Sequence, residues 1–408
     1  MYHIFEKFGI ELEYMIVQKN NLKVLPVTDK IIEKACGAVQ NEIERGEISW
    51  SNELVLHVIE LKTTEPVGSF NGVAELFHSN ILQIQSILES YNGCLLPGPM
   101  HPSMDPASEM YLWPHDYNPI YQAFNSIFDC KGHGWANLQS MHINLPFAND
   151  EEFCRLHAAI RLVLPLIPAL CAGSPVADGK ITGCRDTRME VYRANSLKIP
   201  SITGDVIPEP VFSVAEYQEQ ILQKIYRDLQ PYDPDKILQE EWVNARGAIA
   251  RFERNSIEIR VIDVQETPFA DLAIAAAVTG VIRMMVDERF CTLDQQKSWQ
   301  TAPLKEILLR TIKYGENATI DDYTFLSSMG LNGACTAQQL WKHLVKELQN
   351  YDYQWIAPFL PTLDYLLHAG SLSSRILMSL GNSPDSQQIF RTYRALSDCL
   401  LTGSVFRG

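Results

Sequence analysis

The spacing of apolar residues along the chain predicts a mixture of strands and helices. A mostly apolar run predicts a first strand over about 8–18. Apolar residues three or four positions apart predict a helix over 66–91, with Pro66 at its start and Asn92 and Gly93 after its end. The pattern also predicts strands over 47–63, 137–146, 246–253 and 256–265, and helices over 29–45, 149–172, 213–229 and most of the chain after 268.

The visible strand pairs are hairpins, which indicates an antiparallel sheet. A turn near Arg254 and Asn255 joins the last two strands, because Asn tolerates a positive φ. This register would place Arg251 opposite Glu258. Strands and helices mixed in this way predict an α+β protein whose sheet is mainly antiparallel.

Local signals predict helix caps and one unusual loop. Thr28 or Asp29 is expected to cap the helix at 29–45, and Asn149 or Asp150 the helix at 149–172. Residues 94–119 contain six prolines and predict a long loop. Long loops in compact domains are often functional, so this one is either a cover over a site or a plain surface loop.

Composition narrows the class of protein. The 408 residues are 46% hydrophobic, enough for a large core, and the net charge of -15 disfavours nucleic acid and anionic membranes as partners. The nine Cys contain no C-x-x-C pair, which argues against a zinc ribbon.

The apolar runs 162–172 and 273–282 are too short to span a bilayer and predict buried helices. Without a visible signal peptide, we expect a cytoplasmic protein.

The candidate chemistry begins with two acids on the first strand. Glu11 and Glu13 are two residues apart, so in a strand they share one face. Neighbouring carboxylates repel each other unless a cation lies between them. That cation could be an Arg or Lys from another strand, or a metal ion. The two acids alone do not decide between these alternatives.

Other predicted strands supply acids, a histidine and arginines that could share this site: Glu53, Glu60, His142, Arg251, Glu258 and Arg260. Glu53 and Glu60 are seven residues apart, so one of them must lie beyond a regular strand, or a bulge must intervene. Hard oxygen ligands favour Mg²⁺ or Mn²⁺ over zinc. Because the planar guanidinium suits charge on a transferred phosphoryl group, the set predicts metal–nucleotide chemistry.

Each of these residues also has a purely structural interpretation. The acids could be solvated or salt-bridged strand residues, and His142 a hydrogen-bonded core histidine. Arg251 could simply bridge Glu258. Arg185, Arg188 and Arg193 either form a solvated helix face or bind substrate or nucleotide. The stretch 173–180 lacks the spacing of a phosphate-binding loop, and His-Glu-x-x-His is absent.

In its ordered motifs the chain resembles the glutamate–cysteine ligases and related ATP-dependent carboxylate–amine ligases of the glutamine synthetase superfamily. The resemblance covers about 8–290 and includes no appended ATP-grasp module, so a bifunctional glutathione synthase is not expected. The matching segments are 9–13, Glu53 with 60–63, 141–144, 174–175, 185–187, 192–193, 200–204, and 256–260 followed by Asp263.

The resemblance implies a fold and a domain organisation. The fold would be a curved, mainly antiparallel glutamine synthetase-like sheet that forms an active-site cup, flanked by helices, with a helical C-terminal part. Residues 1–300 would form the catalytic domain, and the helical region 301–408 would pack on it.

The resemblance also implies roles for site residues. Arg260 would contact phosphate, and Arg251 is expected to assist it as a second catalytic residue. Arg188, Arg193 and Lys62 are expected to bind substrate or nucleotide. The implied ligands of Mg²⁺ or Mn²⁺ are Glu11, Glu13, Glu53, Glu60, His142 and Glu258.

The implied reaction has two steps. ATP phosphorylates a carboxylate, by analogy the γ-carboxylate of glutamate, and the amine of cysteine or another compound then displaces phosphate to form an amide. Such a reaction belongs to glutathione biosynthesis in the best-known members. The alternatives are a superfamily ligase with a different acid or amine, and a degenerate member that binds metal or nucleotide without catalysis. The oligomeric state stays open, with a homo-oligomer as one outcome.

Overall fold

The centre of the protein is one eight-stranded antiparallel sheet. The computed structural model describes residues Met1–Gly408. The sheet has the order β2-β3-β4-β1-β6-β10-β9, and β5 pairs with the second half of β1. This confirms the predicted α+β class with a mainly antiparallel sheet. The strands, including two small separate pairs (β7-β8 and β11-β12), are β1 Gly9–Gln18, β2 Glu42–Arg45, β3 Ile48–Asn52, β4 Val58–Thr63, β5 Gly93–Leu96, β6 Ser140–Pro146, β7 Val176–Ala177, β8 Lys180–Ile181, β9 Ala248–Arg251, β10 Ser256–Asp263, β11 Thr319–Ile320 and β12 Cys335–Thr336.

Helices surround this sheet and make up nearly all of the chain after β10. The helices are α1 Thr28–Cys36, α2 Val73–Leu88, α3 Pro106–Glu109, α4 Asn118–Phe128, α5 His133–Ala136, α6 Asp150–Val163, α7 Ile167–Cys171, α8 Thr187–Tyr192, α9 Val214–Tyr217, α10 Gln223–Leu229, α11 Pro268–Val286, α12 Leu293–Ser298, α13 Thr301–Tyr314, α14 Tyr323–Ser328, α15 Ala337–Tyr351, α16 Tyr353–Ile356, α17 Leu360–Ala369, α18 Leu372–Leu380 and α19 Ser386–Thr402. A π-helical turn, Gln218–Leu222, joins α9 to α10, so the predicted helix at 213–229 is one slightly irregular helix.

The position of β1 explains why its acids meet residues from elsewhere. β4 lies on one side of β1 and β6 on the other, and Glu11 is paired with both Lys62 and His142. Directly paired residues of an antiparallel sheet point to the same face. The alternating Ile10 and Leu12 are completely buried in the hydrophobic core. The period of two therefore separates a polar face from an apolar face along this strand.

One hydrophobic core of 114 buried residues runs from Phe8 to Phe406. The apolar helix α11 packs against α2 and α6 and also against α15 in the C-terminal part. The sheet and the late helices therefore share a core. The division at residue 300 stays a prediction.

The first part of the chain shows three errors in the predicted elements. The helix at 29–45 ends at Cys36, because Gly37 adopts a φ of 86° and the chain then forms β2; neither Thr28 nor Asp29 caps it. The helix predicted from Pro66 begins only at Val73. The single strand region 47–63 is a hairpin of β3 and β4. Gly37 ended the first pattern. The connection 53–57 between β3 and β4 was missed because three of its five residues, Leu54, Val55 and Leu56, are apolar and continue the strand pattern.

Other local signals gave correct elements. The Asn149 side chain caps α6 by accepting a hydrogen bond from the Glu152 N–H. Asn255 has the expected positive φ of 51° in the β9–β10 turn. The register was wrong, since Arg251 pairs with Ser256 and the turn is centred one residue earlier than predicted. The partner of Arg251 differs from the predicted one by two residues, so Arg251 still lies on the same face of the sheet as Glu258. Its side chain contacts Glu258 diagonally across the two strands.

The two long apolar segments are core helices. Asp150–Cys171 and Pro268–Val286 are long and apolar enough to cross a membrane, yet 89% and 83% of their most apolar windows are buried inside the protein. This agrees with the predicted buried helices, because the apolar side chains already have protein neighbours.

A buried ion pair between Glu266 and Arg375 ties the C-terminal tail to the core. Both side chains are completely buried, and they bind the backbone N–H and C=O of Phe406 at 3.0 and 2.7 Å. We expect Glu266→Ala to reduce the free energy of unfolding by about 3–5 kcal/mol, because Arg375 is left as an unpaired buried charge. Urea unfolding of the full chain measures the loss.

The matched control is Asp205→Asn, which breaks an exposed ion pair with Lys305. This change is expected to cost less than about 1 kcal/mol. Equal losses in the two variants would mean that the buried pair does not hold the tail.

Candidate active site

Three strands bring Glu11, His142 and Glu258 together. The Oε2 atom of Glu11 lies 2.8 Å from Nδ1 of His142, and its Oε1 accepts a hydrogen bond of 2.9 Å from Asn144 Nδ2. Glu258 Oε1 lies 3.8 Å from the same Nδ1. The ligand atoms of these three side chains lie within 4.8 Å of one another. They form the first of two groups that could hold a metal ion.

Glu13 and Glu60 form the second group with His142. The Oε2 atom of Glu13 accepts hydrogen bonds from Ser140 N at 2.7 Å and Ser140 Oγ at 3.1 Å. Its Oε1 lies 3.8 Å from His142 Nε2. Glu60 accepts a hydrogen bond of 2.7 Å from Ser51 Oγ, and Lys62 Nζ lies 3.5 Å away. The two groups therefore share His142, one through each ring nitrogen.

Glu53 lies next to the second group rather than within it. It follows the end of β3, while Glu60 is inside β4, so the seven-residue spacing is bridged by the hairpin. Burial, then the charges of Glu60 and Glu13, raise the pKa of Glu53 well above its usual range. No cation pairs with this carboxyl group. The sequence predicted that one of these two acids lies beyond a regular strand or that a bulge intervenes. The first of these alternatives is confirmed, because Glu53 lies outside β3.

Two arginines hold Glu258. Arg251 Nη1 lies 3.0 Å from its Oε2, and Arg260 Nε lies 3.0 Å from its Oε1. The β10–β6 pairing shifts register between Ile259 and Ile262, which places Arg260 at an irregularity. Bulges of this kind re-aim side chains beside active sites.

The residues present fit Mg²⁺ or Mn²⁺ by the chemistry of their donors. The two groups offer carboxylate oxygens and one imidazole, a set that suits hard divalent cations. Burial favours a raised pKa for Glu11, but the hydrogen bond and charge of His142 outweigh it and lower the pKa to about 2. Burial and the charge of Glu11 raise the pKa of Glu60 to about 7. A divalent cation would relieve the repulsion that this shift reflects.

The shifted pKa of Glu60 gives a definite sign to the pH dependence. Without metal, the folded protein keeps a proton on Glu60 up to about pH 7, whereas the unfolded chain loses it near the usual value of 4.5. This carboxyl group therefore lowers the stability of the folded protein as pH rises from about 4.5 to 7. A metal ion has to displace that proton below about pH 7.

We therefore expect Mg²⁺ to raise the unfolding temperature more at pH 8 than at pH 6. Thermal unfolding with saturating Mg²⁺ and with a chelator, at each pH, measures the difference. Glu60→Gln is expected to remove most of this pH dependence. An equal Mg²⁺ effect at both pH values in the wild-type protein would contradict the assignment of Glu60 as a ligand.

Two cavities include residues of this acidic cluster in their linings. The first has a volume of about 370 Å³, and its lining includes Glu11, Lys7, Lys62 and Arg254; we call it the Arg254 cavity. The second has a volume of about 280 Å³. We call it the Trp242 cavity, and its lining includes Glu13, Glu53, His142, Arg188, Arg260, Tyr121, Phe124, Trp135, Tyr192 and Trp242. The cluster therefore contributes residues to the lining of both cavities.

Comparison with known protein families identifies the group to which this chain belongs. The family model described as glutamate-cysteine ligase family 2 matches residues 7–392. The chain belongs to glutamate-cysteine ligase family 2. This confirms the resemblance seen in the sequence and extends it over the C-terminal helices. An uncharacterised protein from Archaeoglobus fulgidus is 32% identical over 400 residues, covering 98% of this chain and 99% of its own.

Solved structures show the same fold at low sequence identity. A glutamate–cysteine ligase from Francisella tularensis in complex with AMP has a TM-score of 0.63 and 12% identity, over 97% of this chain and 89% of that chain. A bifunctional glutathione synthetase from Pasteurella multocida has a TM-score of 0.57 and 12% identity, over 97% of this chain and 52% of that chain. The fold of this family member is therefore that of a glutamate–cysteine ligase.

Not every predicted site residue of this family member lies at the cluster. Arg188 lines the Trp242 cavity but is buried, pairs with Asp263 at 3.3 Å, and donates a hydrogen bond of 2.9 Å to the carbonyl of Arg260. Arg193 lines neither cavity and pairs with Glu190 on its own helix. Arg251 also lines neither cavity. Binding roles for Arg188, Arg193 and Lys62, and a catalytic role for Arg251, remain predictions.

The loop at 94–119 does not cover the site. It contributes no residue to the lining of either cavity, and most of its first part is buried, including Met100, His101 and Met104. The first half of the segment, β5 and the coil after it, is packed into the core, whereas much of the second half, from Asp105 to Tyr117, is exposed as a surface loop would be.

Sequence reasoning missed several residues of the site. Ser140 and Asn144 alternate with His142 on β6 and contact Glu13 and Glu11, so the period of two could have identified them. Arg254 appeared only as a turn residue, but it lines the Arg254 cavity. The aromatic residues of the Trp242 cavity come from short helices and turns with no pattern that connects them.

Proposed function

We propose that this protein is an ATP- and Mg²⁺-dependent carboxylate–amine ligase that forms a γ-glutamyl amide through an acyl phosphate and releases ADP and phosphate. Mn²⁺ would serve in place of Mg²⁺. The observation that carries the proposal is the presence of two groups of side chains that could hold a metal ion and that share His142. Family membership supports the ligase class, and the structure of a relative with AMP bound supports a nucleotide substrate.

The Arg254 cavity is the better place for the nucleotide. Lys7, Lys62 and Arg254 supply positive charge beside the acids of the cluster. Bound Mg²⁺ would neutralise the phosphates and orient the γ-phosphoryl group. The Trp242 cavity would hold the carboxylate and the amine, because its lining combines the charged groups Glu13, Glu53 and Arg260 with ten hydrophobic residues.

The protein's own residues have separate tasks in this reaction. Glu258 orients Arg260 through the 3.0 Å contact, so that the guanidinium can stabilise charge on the phosphoryl group during transfer. Ser140 and Asn144 hold Glu13 and Glu11 by hydrogen bonds and so keep the cluster assembled before substrates arrive. Arg188 supports the carbonyl of Arg260 from behind.

The same site is compatible with glutamate or a similar carboxylate, and with cysteine or another amine. With cysteine the product would enter glutathione biosynthesis, and the enzyme would act in the cytoplasm as a monomer or homo-oligomer. A degenerate member without catalysis is disfavoured, since all six predicted metal-binding side chains lie in or beside the cluster.

Phosphate release tests the proposal. We expect purified protein with ATP, Mg²⁺ and glutamate to release phosphate when a suitable amine is added, and mass spectrometry to find the amide product. A chelator is expected to abolish the release. A folded protein that releases no phosphate with any acid and amine of the panel would contradict the ligase function.

A further inference from the structure

We propose that the amine substrate carries an apolar group of aryl size, which lies against an aromatic wall in the Trp242 cavity. This inference rests on the proposed ligase function and specifies its second substrate. The wall consists of Phe124, Trp135 and Trp242, which all line the cavity.

The three rings are packed against one another. Phe124 lies 5.2 Å from Trp135 and 5.9 Å from Trp242 between ring centroids. Phe128 stacks on Trp135 at 5.3 Å and lies outside the cavity lining, so it supports the wall from behind. Aromatic side chains in contact at these distances form a firm apolar surface.

The two tryptophans of the wall differ from the other five Trp of the chain in the hydrogen bonding of the indole N–H. The chain contains seven Trp, and five of them donate their indole N–H to a protein acceptor: Trp50, Trp113, Trp299, Trp341 and Trp355. Trp135 and Trp242 make no such hydrogen bond, and both are only partly buried. Both rings pack against the hydrophobic core, but part of each ring stays exposed and each indole N–H has no protein acceptor, so both can contact a molecule in the cavity.

The lining of the two cavities also differs in chemistry. Ten of the 19 residues around the Trp242 cavity are hydrophobic, but only three of the 16 around the Arg254 cavity. The acidic and basic residues in the lining of the Trp242 cavity are Glu13, Glu53, His142, Arg188 and Arg260. A substrate with a reacting polar end and an apolar body would satisfy both sides, because apolar ring surface gains little from water.

An aryl group suits this wall better than a small thiol does. The side chain of cysteine would leave much of the three rings in contact with water, whereas a phenyl ring can lie against two of them at once. In the bond-forming step the amine lone pair attacks the acyl carbonyl. The C–N bond forms, the C–O bond to phosphate breaks, and phosphate leaves with that electron pair while the amine loses its proton to solvent.

A panel of amines tests the inference. With ATP, Mg²⁺ and glutamate, we expect kcat/KM for 2-phenylethylamine and L-phenylalanine to exceed that for ethylamine, L-alanine and L-cysteine roughly tenfold or more. Trp242→Ala is expected to reduce that preference roughly tenfold. Tyr353→Ala, an exposed aromatic residue outside both cavities, is the matched control. A preference for cysteine, or equal losses for large and small amines in Trp242→Ala, would overturn the inference.

Calorimetry separates this inference from the ligase function. If no amine stimulates phosphate release, the ligase proposal fails, and titration of 2-phenylethylamine into the protein decides the inference separately. Saturable binding that is lost in Trp242→Ala and kept in Tyr353→Ala would support the aromatic wall. No binding to folded wild-type protein would overturn it.

Discussion

Glu13→Gln is expected to reduce ligase activity at least about a hundredfold while the unfolding temperature in the presence of a chelator stays within about 3 °C of the wild-type value. Glu13 lies in the second group that could hold a metal ion, and its Oε1 lies 3.8 Å from His142 Nε2. The amide has the same shape but carries no charge, and its oxygen can still accept the hydrogen bond from Ser140 N. The variant therefore removes a metal ligand without opening a cavity.

The two measurements distinguish a metal ligand from a structural strand residue. Phosphate release at saturating ATP and Mg²⁺ reports activity, and thermal unfolding reports stability. Glu44→Gln, in the same sheet but exposed on the edge strand β2, is the matched control and is expected to change neither. Normal activity in Glu13→Gln would show that the metal assignment is wrong, and a large fall in stability would favour a structural role.

Arg260→Lys is expected to lower kcat about a thousandfold with little change in the KM for ATP. An arginine that stabilises a transferred phosphoryl group contributes roughly 10³ or more to the rate. Arg260 lines the Trp242 cavity, and its side chain remains 25% exposed although it contacts Glu258. Lysine keeps the positive charge but lacks the planar donors that reach Glu258 and a phosphoryl oxygen together.

Arg251→Lys provides the comparison. Arg251 binds the other oxygen of Glu258 at 3.0 Å but lines neither cavity, so its loss is expected to lower kcat less than about tenfold. Steady-state kinetics of the two variants under identical conditions measure the contrast. Equal losses would mean that both arginines act only by holding Glu258, and Arg260 would then have no separate part in phosphoryl transfer.

The alternation of residues in β1 allowed much of the site to be predicted. Glu11 and Glu13 share a face in any straight strand, and His142 and Glu258 were each predicted on strands of the same kind. What could not be predicted is that β4 and β6 flank β1. That order depends on which strands bury their apolar faces together, and long-range pairing of this type leaves no local pattern in the chain.

Errors arose where a local pattern continued through a turn. The apolar spacing across 29–45 looked helical, yet Gly37 ended the helix. The hairpin of β3 and β4 looked like one strand region, and the separation of Glu53 from Glu60 was the only sign of the turn. Arg193 looked like part of a basic group, but its partner is Glu190 on the same helix turn.

By itself the sequence determined the α+β class, the family, and the acids, histidine and arginines around which a metal–nucleotide site would form, because these depend on residue type and short spacing. Only the tertiary structure decided that His142 belongs to two groups that could hold a metal ion, that Arg254 and not Arg193 lies beside a cavity, and that three aromatic residues line the same cavity as Glu13 and His142. These features join residues more than a hundred positions apart. The packing of helices on the sheet, and no local rule, brings such residues into contact.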